Sequence, residues 1–174
     1  MSVILGLDPG SRLTGFGVVE TVHGRPVCLA CGQIRAGTDA IHQRLVRIHA
    51  GLTEIVDEFA PEVVAAERVF MHRNADAALK LGQARGAAVV AATARGAAFF
   101  EYAPNEVKHA VVGRGHAAKG QVQHMIQAIL NLAELPPPDA ADALAVAVCH
   151  AHTAHVKTMM GVRTDRKSTR LNSS

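Results

Sequence analysis

The order of short apolar segments along the chain is the feature that most limits how it can fold. Three segments of β-type composition, residues 3–7, 15–22 and 27–35, follow one another at the start, with turn sequences between them. Segments with helical periodicity then alternate with two more apolar segments, residues 63–66 and 97–102. The resulting order, β-β-β-α-β-α-β-α-α-α, predicts an α/β fold. In that fold a three-strand antiparallel meander and two parallel strands form a mixed five-stranded sheet flanked by helices.

Apolar residues spaced three and four apart mark the helices. The first helix is predicted to end at Ala60-Pro61, and its apolar face comprises Ile41, Leu45, Ile48, Leu52, Ile55 and Phe59. Further helices are predicted over residues 74–94, 104–112, 119–132 and 139–152. Asn74 is the expected N-cap of the 74–94 helix. The small residues of that helix (Ala75, Ala78, Gly82, Gly86) permit close packing against another element.

Composition indicates one packed domain. The chain has 174 residues, of which 49% are hydrophobic and 19% charged, and no long linker interrupts it. We expect one packed domain over residues 1–157 and a tail over 158–164. Residues 165–174 resemble the in-frame translation of a common sequencing adapter and are expected to be foreign. These ten residues carry three basic groups and one acid, so the net charge of +3 falls to 3 − 2 = +1 without them, and any basic surface must be local.

The sequence gives no sign of a membrane protein. No apolar run reaches the roughly 18 to 20 residues of a membrane span, and the N-terminus lacks the basic region of a signal peptide. A cytoplasmic location without membrane partners is therefore expected. Cys28 and Cys31 form a lone Cys-x-x-Cys, and a zinc site would need a second pair that the three cysteines do not supply. Because residues three apart on a strand point to opposite faces, both are expected to be structural.

Four acidic residues lie at the ends of predicted elements. Asp8 and Glu67 each follow a buried strand, and Asp139 and Asp142 open the last helix on a shared face. Carboxylates brought together repel one another without a cation, and hard divalent ions take oxygen ligands. Two such ions can stabilise both the attacking and the leaving oxygen of a phosphodiester.

Each acid also has an ordinary explanation. Asp8 can form a turn, Glu67 can be solvated, Asp139 can cap the helix, and Asp142 can interact with the helix dipole. Spacing alone does not bring the four together, so only the fold can decide between these interpretations.

Four blocks of sequence resemble the RuvC family of junction resolvases. The blocks are residues 5–11 with 14–17, 67–70, 74–86 and 140–145, and the likeness runs in register from residue 3 to about 152. The resemblance implies a ribonuclease H-like fold, in agreement with the strand order. It also implies an endonuclease that resolves Holliday junctions by paired symmetric nicks in DNA recombination and repair.

The resemblance assigns roles to individual residues. The family's catalytic metal-site acids fall on Asp8, Glu67, Asp139 and Asp142, where some relatives have histidine at the third position. It implies Mg²⁺ as cofactor, with two ions per subunit and Mn²⁺ as a substitute. An activated water would attack the phosphorus and leave a 5′-phosphate and a 3′-hydroxyl.

DNA-binding residues are implied in the same way. Phe70 matches an aromatic residue that contacts unpaired bases, although a core position is the ordinary interpretation of a phenylalanine. Lys108 and Lys119 match basic positions suited to phosphate contacts, for which a solvated surface is the ordinary interpretation. Arg73, near Phe70, is a further candidate.

The substrate's near-twofold symmetry predicts a homodimer, with the 74–94 helix as the contact. The resemblance further implies action with the RuvA–RuvB branch-migration complex. Three alternatives remain. They are a YqgF-type nuclease that processes ribosomal RNA, a nucleotide-binding domain of the actin or sugar-kinase type, and a non-catalytic junction-binding protein. Chain length argues against the second, and the intact acid set argues against the third.

Overall fold

A computed structural model describes residues 2–69, 74–113 and 120–160 of the chain. Its strands are β1 (Val3–Asp8), β2 (Leu13–Val22), β3 (Arg25–Arg35), β4 (Val63–Glu67) and β5 (Ala98–Tyr102). Its helices are α1 (Ile41–Phe59), α2 (Ala75–Thr93), α3 (Pro104–Val112), α4 (Gln121–Leu130) and α5 (Pro138–Met159). The element order is the predicted one.

The five strands form one mixed sheet in the order β3-β2-β1-β4-β5. Strand β2 pairs antiparallel with both β1 and β3, while β4 pairs parallel with both β1 and β5. The predicted meander followed by parallel crossovers is therefore confirmed. Strand β1 lies at the centre, and its continuous apolar run reflects burial on both faces.

Helices cover both faces of the sheet. On one face, the buried residues Leu5, Leu7 and Val64 pack with α1 and α2. On the other, Ile4 and Ala65 pack with α3, α4 and α5. Successive residues of β1 alternate between these two cores, as strand geometry requires.

Helix α5 packs directly on the sheet because glycines face it. A Cβ added to Gly6 would lie 2.0 Å from the backbone oxygen of Ala143, and one added to Gly15 would lie 2.0 Å from that of Asp139. The helix continues to Met159, beyond the predicted end at residue 152, because neither glycine nor proline interrupts the sequence before Gly161. Among the described residues, no helix has the length and apolar character needed to cross a membrane.

The first turn of α2 begins as predicted. The side chain of Asn74 accepts a hydrogen bond from the backbone N–H of Ala77 at 3.1 Å. Helix α4 ends at Leu130, two residues before the predicted end, where Asn131 adopts a left-handed conformation and closes the helix.

The prediction that Cys28 and Cys31 point to opposite faces is wrong. Val18 pairs with Ala30, but Val19 pairs with Cys28, so Leu29 is an extra residue in β3. This β-bulge changes the alternation and places both cysteines on the α5 face, half-buried against the same core. A hydrogen bond from the Cys28 thiol, whose own pKa is raised, lowers the pKa of Cys31 to about 7.

The contact between Gly6 and α5 predicts a large penalty for a single methyl group. Gly6→Ala should lower the free energy of unfolding by about 1–3 kcal/mol, because a Cβ there meets helix backbone that cannot rotate away. Urea denaturation followed by circular dichroism measures the change. Val46→Ala is the control, since Val46 is 66% exposed on α1, and it should change stability by less than about 0.5 kcal/mol. Equal stability of the Gly6→Ala protein and the wild type would contradict the close packing.

Candidate active site

Parallel pairing brings Asp8 and Glu67 to the same edge of the sheet. Leu7 of β1 pairs with Ala66 of β4, so the residue that follows each lies at the carboxyl end of its strand. Along β1, the side chain of Asp8 lies on the same face of the sheet as that of Ile4. Along β4, the side chain of Glu67 lies on the same face as that of Ala65. Both carboxylates therefore belong to the face covered by α5.

The first turn of α5 supplies the other two acids. Asp8 pairs with Gly15, whose close contact is with the backbone of Asp139, so the start of the helix lies beside the end of β1. Pro137 is the N-cap and Pro138 the first helical residue. Asp139 is thus inside the helix, which excludes the interpretation of this residue as the N-cap.

The pKa values indicate that the four carboxylates interact. Burial, followed in order of importance by the charges of Asp142, Asp139 and Glu67, raises the pKa of Asp8 to about 7. Burial followed by Asp142 raises the pKa of Glu67. Burial followed by Asp139 raises that of Asp142. Convergence of the four predicted acids at one site is therefore a property of the fold.

The donor set suits a hard divalent cation. Four carboxylates offer only oxygen ligands, and a bound cation would remove the repulsion that helps to raise the pKa values of Asp8, Glu67 and Asp142. Among the residues described, no three His, Cys, Asp or Glu side chains already stand in positions to hold an ion together. The acids are thus close enough to interact, and closing them around an ion requires movement of side chains.

Gln33, which was not predicted from the sequence, holds one of these acids in place. The amide nitrogen of Gln33 donates a hydrogen bond to Oδ2 of Asp139 at 2.7 Å. Gln33 pairs with Gly15 across the sheet. A glutamine within a largely apolar strand was the available signal, but its orientation toward α5 could not be read without the bulge in β3.

Arg85 holds the end of β4. Its Nη1 donates to the backbone oxygen of Glu67 at 3.0 Å, and its Nη2 forms an ion pair with Glu101 on β5. At the end of β1, the buried hydroxyl of Thr14 donates to the backbone oxygen of Gly10 at 3.0 Å and fixes the turn that follows Asp8.

One of the four DNA-contact candidates lies within the described structure. Lys108, on α3, is half-buried, and its charge lowers the pKa of Glu67, which places it beside the acid site. Phe70, Arg73 and Lys119 lie outside the described residues.

The raised pKa of Asp8 predicts a pH-dependent stability in the metal-free protein. The folded-state pKa of about 7 exceeds the ordinary value of 3.8, so folding favours the protonated form, and this contribution is lost as pH rises from about 4 through 7. Between pH 4 and pH 8, the free energy of unfolding of Asp8→Asn should therefore rise relative to that of wild type by on the order of 4 kcal/mol. Urea denaturation in EDTA at several pH values measures this difference. Glu54→Gln, an exposed carboxylate on α1, is the control, and a pH-independent difference for Asp8→Asn would refute the burial of its charge.

Comparison with known proteins places this geometry in a family. The sequence profile of "Crossover junction endodeoxyribonuclease RuvC" matches residues 4–150. The protein of that name from Shewanella piezotolerans is 52% identical over 168 residues, covering 97% of each chain. That from Shewanella frigidimarina is 53% identical over 161 residues, covering 92% of this chain and 93% of its own.

Solved structures agree. Thermus thermophilus RuvC in complex with a Holliday junction substrate superposes with a TM-score of 0.82 at 39% identity, covering 93% of this chain and 98% of the other. The yeast mitochondrial Holliday junction resolvase Ydc2 has a TM-score of 0.67 at 12% identity, which shows a shared fold. The ribonuclease H-like architecture is thus confirmed, and the chain belongs to the RuvC family of crossover junction endodeoxyribonucleases.

Proposed function

We propose that this chain resolves four-way DNA junctions by divalent-metal-dependent hydrolysis of phosphodiesters, in DNA recombination and repair. The observation that carries the proposal is the convergence of four carboxylates from β1, β4 and α5 at one edge of the sheet, in a member of an endodeoxyribonuclease family. A carboxylate cluster is the donor set that phosphodiester hydrolysis with hard cations requires.

Asp8, Glu67, Asp139 and Asp142 would hold the divalent metal, which we infer to be Mg²⁺, at two ions per subunit, with Mn²⁺ able to substitute. When bound, the metal supplies charge stabilisation for the attacking and leaving oxygens of the phosphodiester and activates the attacking water. The products would carry a 5′-phosphate and a 3′-hydroxyl, and paired symmetric nicks of this kind can be sealed by a ligase.

Neighbouring residues keep these carboxylates in place. The hydrogen bond from Gln33 fixes the rotamer of Asp139, and Arg85 holds the backbone at Glu67. Lys108 offers a positive charge beside Glu67, where it can attract a phosphate of the approaching strand. Its position supports the role in DNA binding that the sequence predicts for it.

Contacts with the bases and with more distant phosphates are proposed for Phe70, Arg73 and Lys119. An aromatic ring at residue 70 would stack on unpaired bases at the crossover, since every base presents a π-face. Arg73 and Lys119 would add phosphate contacts that weaken with salt. These roles rest on the family resemblance alone.

A homodimer would place two identical sites on the two strands of the junction. Helix α2 has a face suited to this contact, because Ala84 and Ala88 are buried on its inner side while Leu79 and Val90 are 64% and 61% exposed on its outer side. Gly86, between them, has no atom within 4 Å of its added Cβ. A second helix could therefore approach α2 closely along this outer face.

Action with the RuvA–RuvB complex and a cytoplasmic location remain predictions. The ribosomal-RNA nuclease and the non-catalytic binding protein are not favoured, because the two Shewanella relatives are crossover junction endodeoxyribonucleases. The same matches leave no support for the nucleotide-binding domain.

Cleavage tests the role of the acids. Asp8→Asn should reduce the rate of cutting of a synthetic four-way junction with Mg²⁺ by at least about 10³-fold, since one of four charged oxygen donors is lost. Binding of the junction in EDTA should stay within about threefold of wild type. Product analysis on denaturing gels and fluorescence anisotropy measure the two quantities, with Glu54→Gln as control. Cutting by Asp8→Asn at the wild-type rate would remove Asp8 from the mechanism.

Dimerisation tests the outer face of α2. Val90→Glu should shift the protein toward monomer by tenfold or more in dissociation constant, because two symmetry-related charges would be buried together. Val46→Glu on α1 is the matched control, since Val46 is 66% exposed and lies on a different helix. Sedimentation velocity over a concentration series distinguishes the variants, and equal dissociation constants for both would place the dimer contact elsewhere.

A further inference from the structure

A basic pocket lies on the α1 and α2 side of the molecule, separate from the four acids. It has a volume of about 390 Å³ and opens between the turn after β1, the loop after β3, and helices α1 and α2. Its lining residues are Ser11, Arg12, Thr38, Arg44, Asp76, Ala77 and Lys80. Three of them are cationic and one is acidic, so the lining carries a net charge of 3 − 1 = +2.

Arg44 brings to the pocket a positive charge that has no acidic partner within the described chain. Its side chain is among the few charged ones that the fold buries, with 8% exposure. Nη1 donates to the backbone oxygen of Ser11 at 3.2 Å, but the buried Nε has no hydrogen-bond partner within the described residues. The Nε is enclosed by protein, but among the described residues no carboxylate forms an ion pair with the Arg44 guanidinium. An anion in the pocket would offset this charge.

The side chains of Arg12, Ser11 and Thr38 add further donors to the lining. Arg12 is exposed and has no side-chain hydrogen bond or ion pair in the described part of the chain. Ser11 and Thr38 contribute hydroxyl groups. Asp76 and Ala77 lie in the first turn of α2, a 19-residue helix, where the helix dipole favours negative charge. The single acid, Asp76, is neutralised by Lys80 at 2.7 Å.

We propose that this pocket binds a backbone phosphate of the DNA strand that enters the active site. The inference rests on the proposed function and adds a phosphate subsite to it. Ser11 follows Asp8 by three residues, which span at most about 11 Å. The pocket therefore lies close to the end of β1 that carries Asp8, and the bound phosphate would belong to the strand near the cut. The pocket would thereby fix the register of the strand against the acids.

Arg12→Gln tests the pocket without disturbing the fold, because Arg12 is exposed whereas Arg44 is buried and bonded to the turn. Arg95→Gln is the matched control. Arg95 is an exposed arginine after the end of α2, where it pairs with Asp57. Fluorescence anisotropy in EDTA measures the affinity for a four-way junction and for a linear duplex. The salt concentration is varied between about 50 and 200 mM, a range that spans the change from weak to strong screening near about 0.1 M.

Arg12→Gln is expected to reduce the slope of log affinity against log salt by about 0.9 for each pocket that engages a phosphate, and to weaken binding several-fold at the lower salt. Arg95→Gln should match the wild type. Slopes that are equal for wild type and Arg12→Gln would overturn the proposal. The linear duplex distinguishes failure of the phosphate pocket from failure of the proposed function. Even if the protein neither prefers nor cuts the junction, a smaller salt slope of Arg12→Gln on duplex would still show that the pocket binds a phosphate.

Neutral methylphosphonate linkages locate the phosphate. Single substitutions, placed in turn along the strand on both sides of the cut, should include one that weakens binding by the wild type and has no further effect in Arg12→Gln, as a double-mutant cycle requires. Inorganic phosphate distinguishes a free anion from the strand. If millimolar phosphate at constant ionic strength raises the melting temperature of wild type but not of Arg12→Gln, while no linkage shows this coupling, the pocket binds a free anion and the DNA assignment is wrong.

Discussion

The contact of helix α5 with the glycines of β1 and β2 is the constraint on which the site depends. Gly6 and Gly15 leave no room for a side chain, so the helix backbone rests on the centre of the sheet. This contact fixes the height and direction of the first turn, where Asp139 and Asp142 lie. A parallel β1–β4 pair then needs only to end at the same edge for Asp8 and Glu67 to complete the cluster.

The same close packing explains the electrostatics of the site. Burial beneath α5 is the main reason that the pKa of Asp8 rises to about 7, and the neighbouring carboxylates add to it. A cluster of this kind destabilises the metal-free protein near neutral pH and is stabilised by a cation. The fold thus holds in place an arrangement that favours binding of divalent metal, and the large apolar core on both faces of the sheet offsets its cost.

Much of this could be predicted from the sequence, because apolar periodicity determines element type and strand ends identify where the acids lie. The bulge at Leu29 could not be predicted, since no glycine or proline marks it. Because the bulge sets which face of the sheet the neighbouring side chains occupy, the orientation of Cys28 and Cys31 was predicted wrongly. The contact from Gln33 to Asp139 was missed for the same reason. Arg44 was missed for a related reason. It lies on the apolar face of α1, where a charged residue breaks the pattern, and only the tertiary structure shows that it lines a pocket.

Proton release on metal binding is the most direct test of the claim that the four carboxylates form one divalent-metal site. Isothermal titration of the wild-type protein with Mn²⁺ at pH 7, in buffers of different ionisation enthalpy, reports the number of protons released. Because the pKa of Asp8 is about 7, roughly half a proton should leave this residue on binding. Asp8→Asn should lose that release and bind the ion more weakly. Unchanged affinity in the variant, or binding by wild type without proton release, would contradict the account.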